Sequence, residues 1–301
     1  MKKYGGFVDK KFLGGKKINK KYFAVNGRSS FNIILDTLKP KKIYLPFYIC
    51  EEIIHVIKKN KIKFQFYEIN KSLNIKKKIV TMPDEYILVV DYFGFSKVVN
   101  RKNCIYDFSL SLFNAKKKFY PNFTSIRKFI LSSYGSFLNL NNVEKKYLSN
   151  KKFFNKLENP KTLEQFRNNE KKQLTNKILY PSRYMDKNIV KTNYAKIKEL
   201  RSSNFKIYHK KLMNFNELSL PINPKGPLYY PLLIKNGEFI RKQLIKNNIF
   251  VPILWNNIKT AKKTQFKFET YLAKNCIFLP LDQRYKKKDI EFILNLLLHF
   301  L

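Results

Sequence analysis

Apolar and polar positions along the first half of the chain alternate between two periods. "SFNIILDTL" (Ser30 to Leu38) and "CEEIIHVIKKN" (Cys50 to Asn60) carry apolar residues at helical spacing. Between and after them, "KIYLPF" (Lys42 to Phe47) reads as a short buried strand and "IKFQFYEI" (Ile62 to Ile69) alternates with period two. "YILVVDYFG" (Tyr86 to Gly94), "NCIYDFSLSLF" (Asn103 to Phe113) and "SFLNLN" (Ser136 to Asn141) each hold a further strand-like core. Strands and helices alternating at this pitch predict an α/β domain: a mainly parallel sheet covered on both faces, with ligands at the carboxyl ends of the strands.

From Val143 to about Leu218 the pattern changes to charged helical stretches without strands. "PLYYPLLI" (Pro227 to Ile234), a helix from Phe239 to Asn247, "IFVPILW" (Ile249 to Trp255), "NCIFLPLDQRY" (Asn275 to Tyr285) and a last helix from Lys288 onward predict a compact α+β set. The division expected is a large α/β domain over residues 1–185, then a helical connection and a smaller C-terminal α+β domain over residues 186–301.

Composition sharpens this picture in two ways. The 301 residues are 44% hydrophobic and 16% aromatic, enough for a packed core despite 61 Lys+Arg against 21 Asp+Glu and a net charge of +40. That charge attracts polyanions, but only 8 of the cations are Arg, the side chain that reads phosphates and bases bidentately. No zinc-finger spacing, RNP-like motif or basic region joined to heptads accompanies the charge. The excess of Lys, with abundant Asn, Ile, Phe and Tyr, matches the codon bias of an AT-rich genome, and no specific nucleic-acid partner is expected. Cys50, Cys104 and Cys276 are far apart and odd in number, and His55, His209 and His299 stand without metal-ligand company, so free thiols, a reducing cytoplasm and no metal are expected. Neither a signal peptide nor a transmembrane run is recognisable.

Three stretches carry candidate chemistry. In "AVNGRSSFNIIL" a Gly and two Ser precede an apolar helix: backbone amides at a helix N-terminus bind anions, Gly27 permits close approach, and Ser29 or Ser30 can cap or donate. "CIYDFSLSLF" ends a hydrophobic strand on Asp107, a carboxylate that at a buried edge calls for a cationic partner. "SIRKFILSSYG" sets Lys128 among Phe123, Ile126, Phe129, Ile130 and Leu131, surroundings that disfavour an ammonium and free the amine as a nucleophile. An anion cup, a strand-end Asp and a desolvated Lys, in that chain order on an α/β sheet, are the parts that pyridoxal phosphate needs.

The segments "GRSSFNIIL…KKIYLPFYICEEI", "VDYFG", "IYDFSLSLF", "SIRKF…G", "RSSNF" (Arg201 to Phe205) and "LPLDQRYKKKDIEFIL" together resemble, over nearly the whole chain, a divergent branch of the DegT/DnrJ/StrS family of sugar-nucleotide aminotransferases. The resemblance implies the pyridoxal-phosphate-dependent transferase fold type I, with Lys128 as the lysine that carries the cofactor and Asp107 facing its pyridine nitrogen. It implies further that Gly27, Arg28, Ser29 and Ser125 surround the phosphate. The ring-stacking position falls at Cys50, with Tyr48 close enough to substitute. Two positions depart from the family: Leu110 stands where Gln is usual, and Tyr134 where an acid precedes the Gly.

The activity implied is transfer of an amino group, from glutamate, to a keto sugar carried on a nucleotide for surface polysaccharide assembly, by a cytoplasmic homodimer. A related dehydratase is the second enzymatic reading, against which Lys128 weighs, since sugar dehydratases of the family lack that lysine. The reading from another class is a catalytically lapsed binding or scaffold protein, or a basic surface that recruits polyanions. If the charge is compositional background, oligonucleotide binding is expected to be non-specific and to collapse as salt is raised from 50 to 200 mM, by roughly 10³-fold or more. Titrations of duplex and single-stranded oligonucleotides at the two salt concentrations check this.

Overall fold

The computed structural model describes residues 2–15, 22–97, 100–116, 118–144, 147–149, 160, 162–172, 178–179, 189–259 and 264–301. Strand β1 (Tyr22–Ala24) leads into helix α1 (Gly27–Leu38), followed by β2 (Lys42–Pro46), α2 (Glu51–Lys59), β3 (Lys63–Tyr67), β4 (Glu85–Val90), β5 (Cys104–Phe108), β6 (Asn122–Thr124) and β7 (Ser136–Asn139). Two two-residue strands, β8 (Leu148–Ser149) and β9 (Ile178–Leu179), flank helix α3 (Leu163–Lys172). The nine strands form one sheet in the order β3-β2-β4-β5-β6-β7-β1-β9-β8. β3, β2, β4, β5 and β6 run parallel, whereas β7 is antiparallel to both β6 and β1.

The second unit is built from α4 (Tyr194–Leu212), β10 (Tyr229–Leu233), α5 (Gly237–Lys246), α6 (Lys267–Asn275), β11 (Cys276–Pro280) and α7 (Lys287–Leu298), with β10 and β11 paired antiparallel. The segment "IFVPILW" contributes only a bridge from Ile249 to Tyr4, not a strand. The boundary expected at residues 185–186 lies outside the described residues, as does most of the charged stretch from 150 to 188. Within the region that the sequence reads as helix alone, β8 and β9 are strands. The N-terminal segment, grouped by the sequence with the large unit, packs on the small one: Gly5 N donates to the Tyr285 hydroxyl (2.6 Å), and Arg284 donates to the carbonyls of Phe7 and Gly5 and to Asp9.

Register places the site. Val90 pairs with Asp107 and Asp107 with Phe123, so these three residues stand side by side on one face at the carboxyl edge. Phe31 of α1 packs on Phe123 at 5.6 Å between ring centroids, which seats α1 on that face. Phe31, Ile33, Ile34 and Leu35 are fully buried, each contributing about 1.5–3 kcal/mol of transfer free energy.

The opposite face departs from the expectation of a sheet covered on both sides. There Lys42 donates to Gln65 (2.9 Å) and to the Tyr44 hydroxyl (3.0 Å), which donates to Glu85 (3.1 Å), a half-exposed polar ladder across three strands. The connections from β3 to β4 and from β4 to β5 hold no helix among the described residues, although parallel crossovers usually carry one. The strict alternation of β3, "KFQFY", is the sequence trace of this one-sided burial.

In the small unit, the first residue of α5 lies against the end of α6 so closely that a Cβ on Gly237 would stand 1.7 Å from the Asn275 carbonyl oxygen. Because backbone rather than a movable side chain is the obstacle, Gly237→Ala is expected to cost about 3 kcal/mol or more, read as a lower urea midpoint at unchanged m-value.

Candidate active site

A cleft of about 610 Å³ opens where β4, β5 and β6 end beneath the N-termini of α1 and α2. Of the residues singled out in the sequence, the structure brings Gly27, Arg28, Cys50, Asp107, Ser125 and Lys128 to its wall, along with Leu110. Ser29 and Tyr48 are buried and are not part of that wall.

α1 begins at the cleft because Asn26, not a serine, caps it: Asn26 Oδ1 accepts from Ser29 N (2.9 Å) and from the Ser29 hydroxyl (3.2 Å). The Ser30 hydroxyl is paired with that of Ser136 at 2.7 Å. The capping role expected of Ser29 or Ser30 therefore belongs to Asn26, whose side chain reaches back over the first turn. The first turn of α1 holds no acid and begins a twelve-residue helix, so its amides present a positive pole to the cleft. Arg28 adds a guanidinium, held at 2.7 Å from Glu52 of α2.

Asp107 sits in the middle of the sheet edge at 7% exposure. Its Oδ1 accepts from Ser109 N at 2.7 Å. Burial pushes its carboxyl above the ordinary value, while the Ser109 bonds and the Lys128 charge pull it back. Lys128 ends a single 3₁₀ turn, Ile126–Lys128, that follows β6. Ile126, Phe129 and Ile130 around it are buried, but Lys128 itself is half-buried and opens to the cleft. Gly135, at φ +130°, returns the chain so that its carbonyl accepts from Ile126 N (2.8 Å) and its N–H donates to Val25. The spacing from Lys128 to Gly135 is thus the length of one closed loop anchored on the strand that precedes α1.

The aromatics on the cleft wall are Phe123 and Trp255, and Tyr48 is not among them. The Tyr48 ring stands edge-on behind Trp255, with centroids 4.4 Å apart and planes at 80°, and its buried hydroxyl has no hydrogen-bond partner among the described residues. That Trp255 is the chain's single tryptophan is the one signal the sequence offers for it, and it lies in the C-terminal half, far from the other motifs. Cys50 is on the wall, its thiol pushed up by burial. Tyr134 is buried off the cleft, its carbonyl accepting from the Ser132 hydroxyl at 2.7 Å.

A second carboxylate lies beside the first. Asp91, just past β4, is 1% exposed and donates its N–H to the Asp107 carbonyl (3.0 Å). Its Oδ2 accepts from Asn114 Nδ2 at 2.9 Å, while Oδ1 has no hydrogen-bond partner among the described residues. Burial raises its carboxyl from 3.8 to about 6, with the Asp107 charge adding to the rise.

No protein-family model matches the chain, and no curated protein matches it in sequence. Among solved structures, a DegT/DnrJ/EryC1/StrS aminotransferase from Brucella abortus is similar with a TM-score of 0.67 at 15% identity, over 93% of this chain and 85% of that one. The sugar aminotransferase CalS13 from Micromonospora echinospora is similar with a TM-score of 0.64 at 12% identity, over 91% and 86%. A NifS-like protein follows with a TM-score of 0.58 at 13% identity, over 93% and 82%. The chain has the α/β fold of the pyridoxal-phosphate-dependent aminotransferases.

Asp91 yields a pH test. A carboxyl whose folded value lies above its unfolded one penalises the folded state when ionised, so the penalty is full above pH ~6, shrinks as pH falls and is gone near pH 4. Asp91→Asn keeps an acceptor for Asn114 and removes the charge. It is expected to raise stability by up to about 3 kcal/mol at pH 7.5 and to lose that advantage by about pH 4. Denaturant midpoints across pH check both parts.

Proposed function

We propose that this chain is a pyridoxal-phosphate-dependent aminotransferase that acts on a keto sugar carried on a nucleotide. The observation that carries the reading is the meeting, in one cleft, of the Lys128 amine, the buried Asp107 carboxylate and the N-terminus of α1. The residues present fit that cofactor. Asp107 is a buried acid at the centre of the sheet edge and gains from a cation set against it, as a protonated pyridine nitrogen would be. The amides of Gly27 and Arg28, the Arg28 guanidinium and the Ser125 hydroxyl form a donor set suited to a phosphate.

When bound, pyridoxal phosphate supplies a carbonyl carbon for amine exchange and an electron sink for the carbanion left by proton removal. Asp107 would keep a proton at the ring nitrogen. Lys128 Nζ would hold the cofactor, be released when the amino donor enters and then, as a free amine, move the proton between the substrate carbon and the cofactor. Trp255, Leu110 and Ile53 give the cleft an apolar flank that excludes water from the proton transfer. Arg127, also on the wall, offers a cation to an anionic substrate group.

Glutamate as donor, a homodimer with shared sites, and a place in surface polysaccharide assembly complete the reading that the family resemblance implies. Among the described residues no helix is long and apolar enough to cross a membrane.

The test is chemical. Protein loaded with the cofactor and reduced with borohydride is expected to carry the label on Lys128 alone in peptide maps, and Lys128→Ala is expected to lose the visible absorbance band. A label on another lysine, or no band in the parent protein, sinks the assignment and leaves the scaffold reading.

A further inference from the structure

A second cavity, of about 580 Å³, lies on the sheet face that the crossovers leave without a helix. Its floor is the face opposite α1: Ile87 and Val89 of β4 with Cys104 of β5, flanked by the end of β3 at Tyr67. One wall is a preordered loop in which Asn70 Oδ1 accepts from both Ser72 N (3.0 Å) and Asn74 N (3.1 Å), with Leu73 held at φ +56°. Asn74 Oδ1 accepts from Lys97 N at 2.6 Å and the Ser96 hydroxyl donates to the Leu73 carbonyl at 3.0 Å, tying the two crossovers together.

Around the opening stand Lys77, Lys78, Lys97 and Arg101, all exposed, and among the described residues no carboxylate lines the cavity. None of the four is in an ion pair among the described residues. The acids on these same connections are engaged elsewhere: Glu68 with Lys76 (2.7 Å), Asp84 with Lys41 (2.8 Å), lysines that are not on the cavity wall, and the buried Asp91 with Asn114 (2.9 Å). Four like charges on one rim repel each other, and a dianion at the mouth removes that repulsion through charge-assisted hydrogen bonds. The apolar and aromatic floor meanwhile suits an uncharged body.

We propose that this cavity binds a phosphate monoester carried on an apolar or aromatic body. It is distinct from the first cleft, with which it shares only Val90: the floor residues point away from the face that bears Asp107, and the proposed aminotransferase reaction uses none of the four cations.

Calorimetric titration of the full chain with phenyl phosphate tests it. Lys97→Gln with Arg101→Gln is expected to weaken binding by about tenfold or more, the scale of a lost charged hydrogen bond. Lys210→Gln with Lys211→Gln removes the same charge from the exposed side of α4 and is expected to leave binding within about twofold, because charges far from the site are screened. Alkylation of Cys104, followed by mass spectrometry, is expected to slow in the presence of phenyl phosphate. Hexyl phosphate and uridine monophosphate distinguish a chain from a ring as the body, and tight binding of either supports the class. No binding by the parent protein, an equal loss in the Lys210/Lys211 pair, or equal binding of benzyl alcohol overturns it. So does a loss confined to Arg28→Gln, which would put the phosphate in the first cleft.

Discussion

A buried arginine holds the two units of this protein in register. Arg201, on α4, is 1% exposed and donates to Gln283 Oε1 (2.8 Å) and to the carbonyls of Pro227 and Leu228 (3.2 and 3.1 Å). Its guanidinium lies 4.9 Å from the centroid of Phe129, and Gln283 Nε2 donates to the Phe129 carbonyl at 2.6 Å. Phe129 is the residue after Lys128, so the small unit grips the lysine loop by both ring and backbone. Burial lowers the guanidinium to about 10, which still leaves it charged at neutral pH, with carbonyl dipoles and a π face in place of water. Truncating it would strand Gln283 and two carbonyls in the interior, and the lysine loop would lose its backstop.

Near that fixed lysine stand two acids, Asp107 on the cleft wall and Asp91 buried beside it, that the rest of the chain would not lead one to expect. In a molecule of net charge +40, Asp107 and Asp91 occupy neighbouring strand ends, each buried and each raised by burial. Parallel strands make this possible, because the register Val90–Asp107–Phe123 brings three carboxyl termini to one edge. The positive pole of α1 and the Lys128 charge compensate Asp107. Asp91, one strand over, has only Asn114 and its neighbours, which is why its rise is the larger problem for stability.

Much of this is legible from periodicity. The two-residue alternation of β3, the helical spacing of α1 and α2, and the apolar runs of β4 and β5 locate those elements to within a few residues. The strands β1 and β6 leave no such trace, since three residues offer too short a window for any period. The N-cap belongs to Asn26 because capping depends on which side chain precedes the turn in helical register, and the serines lie inside it. Trp255 reaches the cleft through a loop in which it adopts φ +58°, a long-range placement with no local signature. The uncovered face is written in the alternation of β3, although the βαβ pattern around it favours a sheet buried on both sides. The clamp at Arg201 is invisible for another reason: Arg201 and Gln283 lie 82 positions apart, in "RSSNF" and "DQRY", and only tertiary packing joins them.

Leu110 shows how a departure from the resembled family is absorbed. It stands on the cleft wall three residues beyond Asp107, where a glutamine would have offered hydrogen bonds. An apolar side chain there removes a polar partner and also excludes water, and in the drier medium each remaining charge acts more strongly on its neighbours. The Asp107 carboxylate keeps the Ser109 amide as its fixed donor and Lys128 as its opposing charge. The cleft thus trades one hydrogen bond for a lower local dielectric, which penalises an uncompensated Asp107 and strengthens its attraction to any cation placed against it. A site of this kind depends more on being filled than a polar one does, because the energy of its acid is recovered only when a positive group completes it.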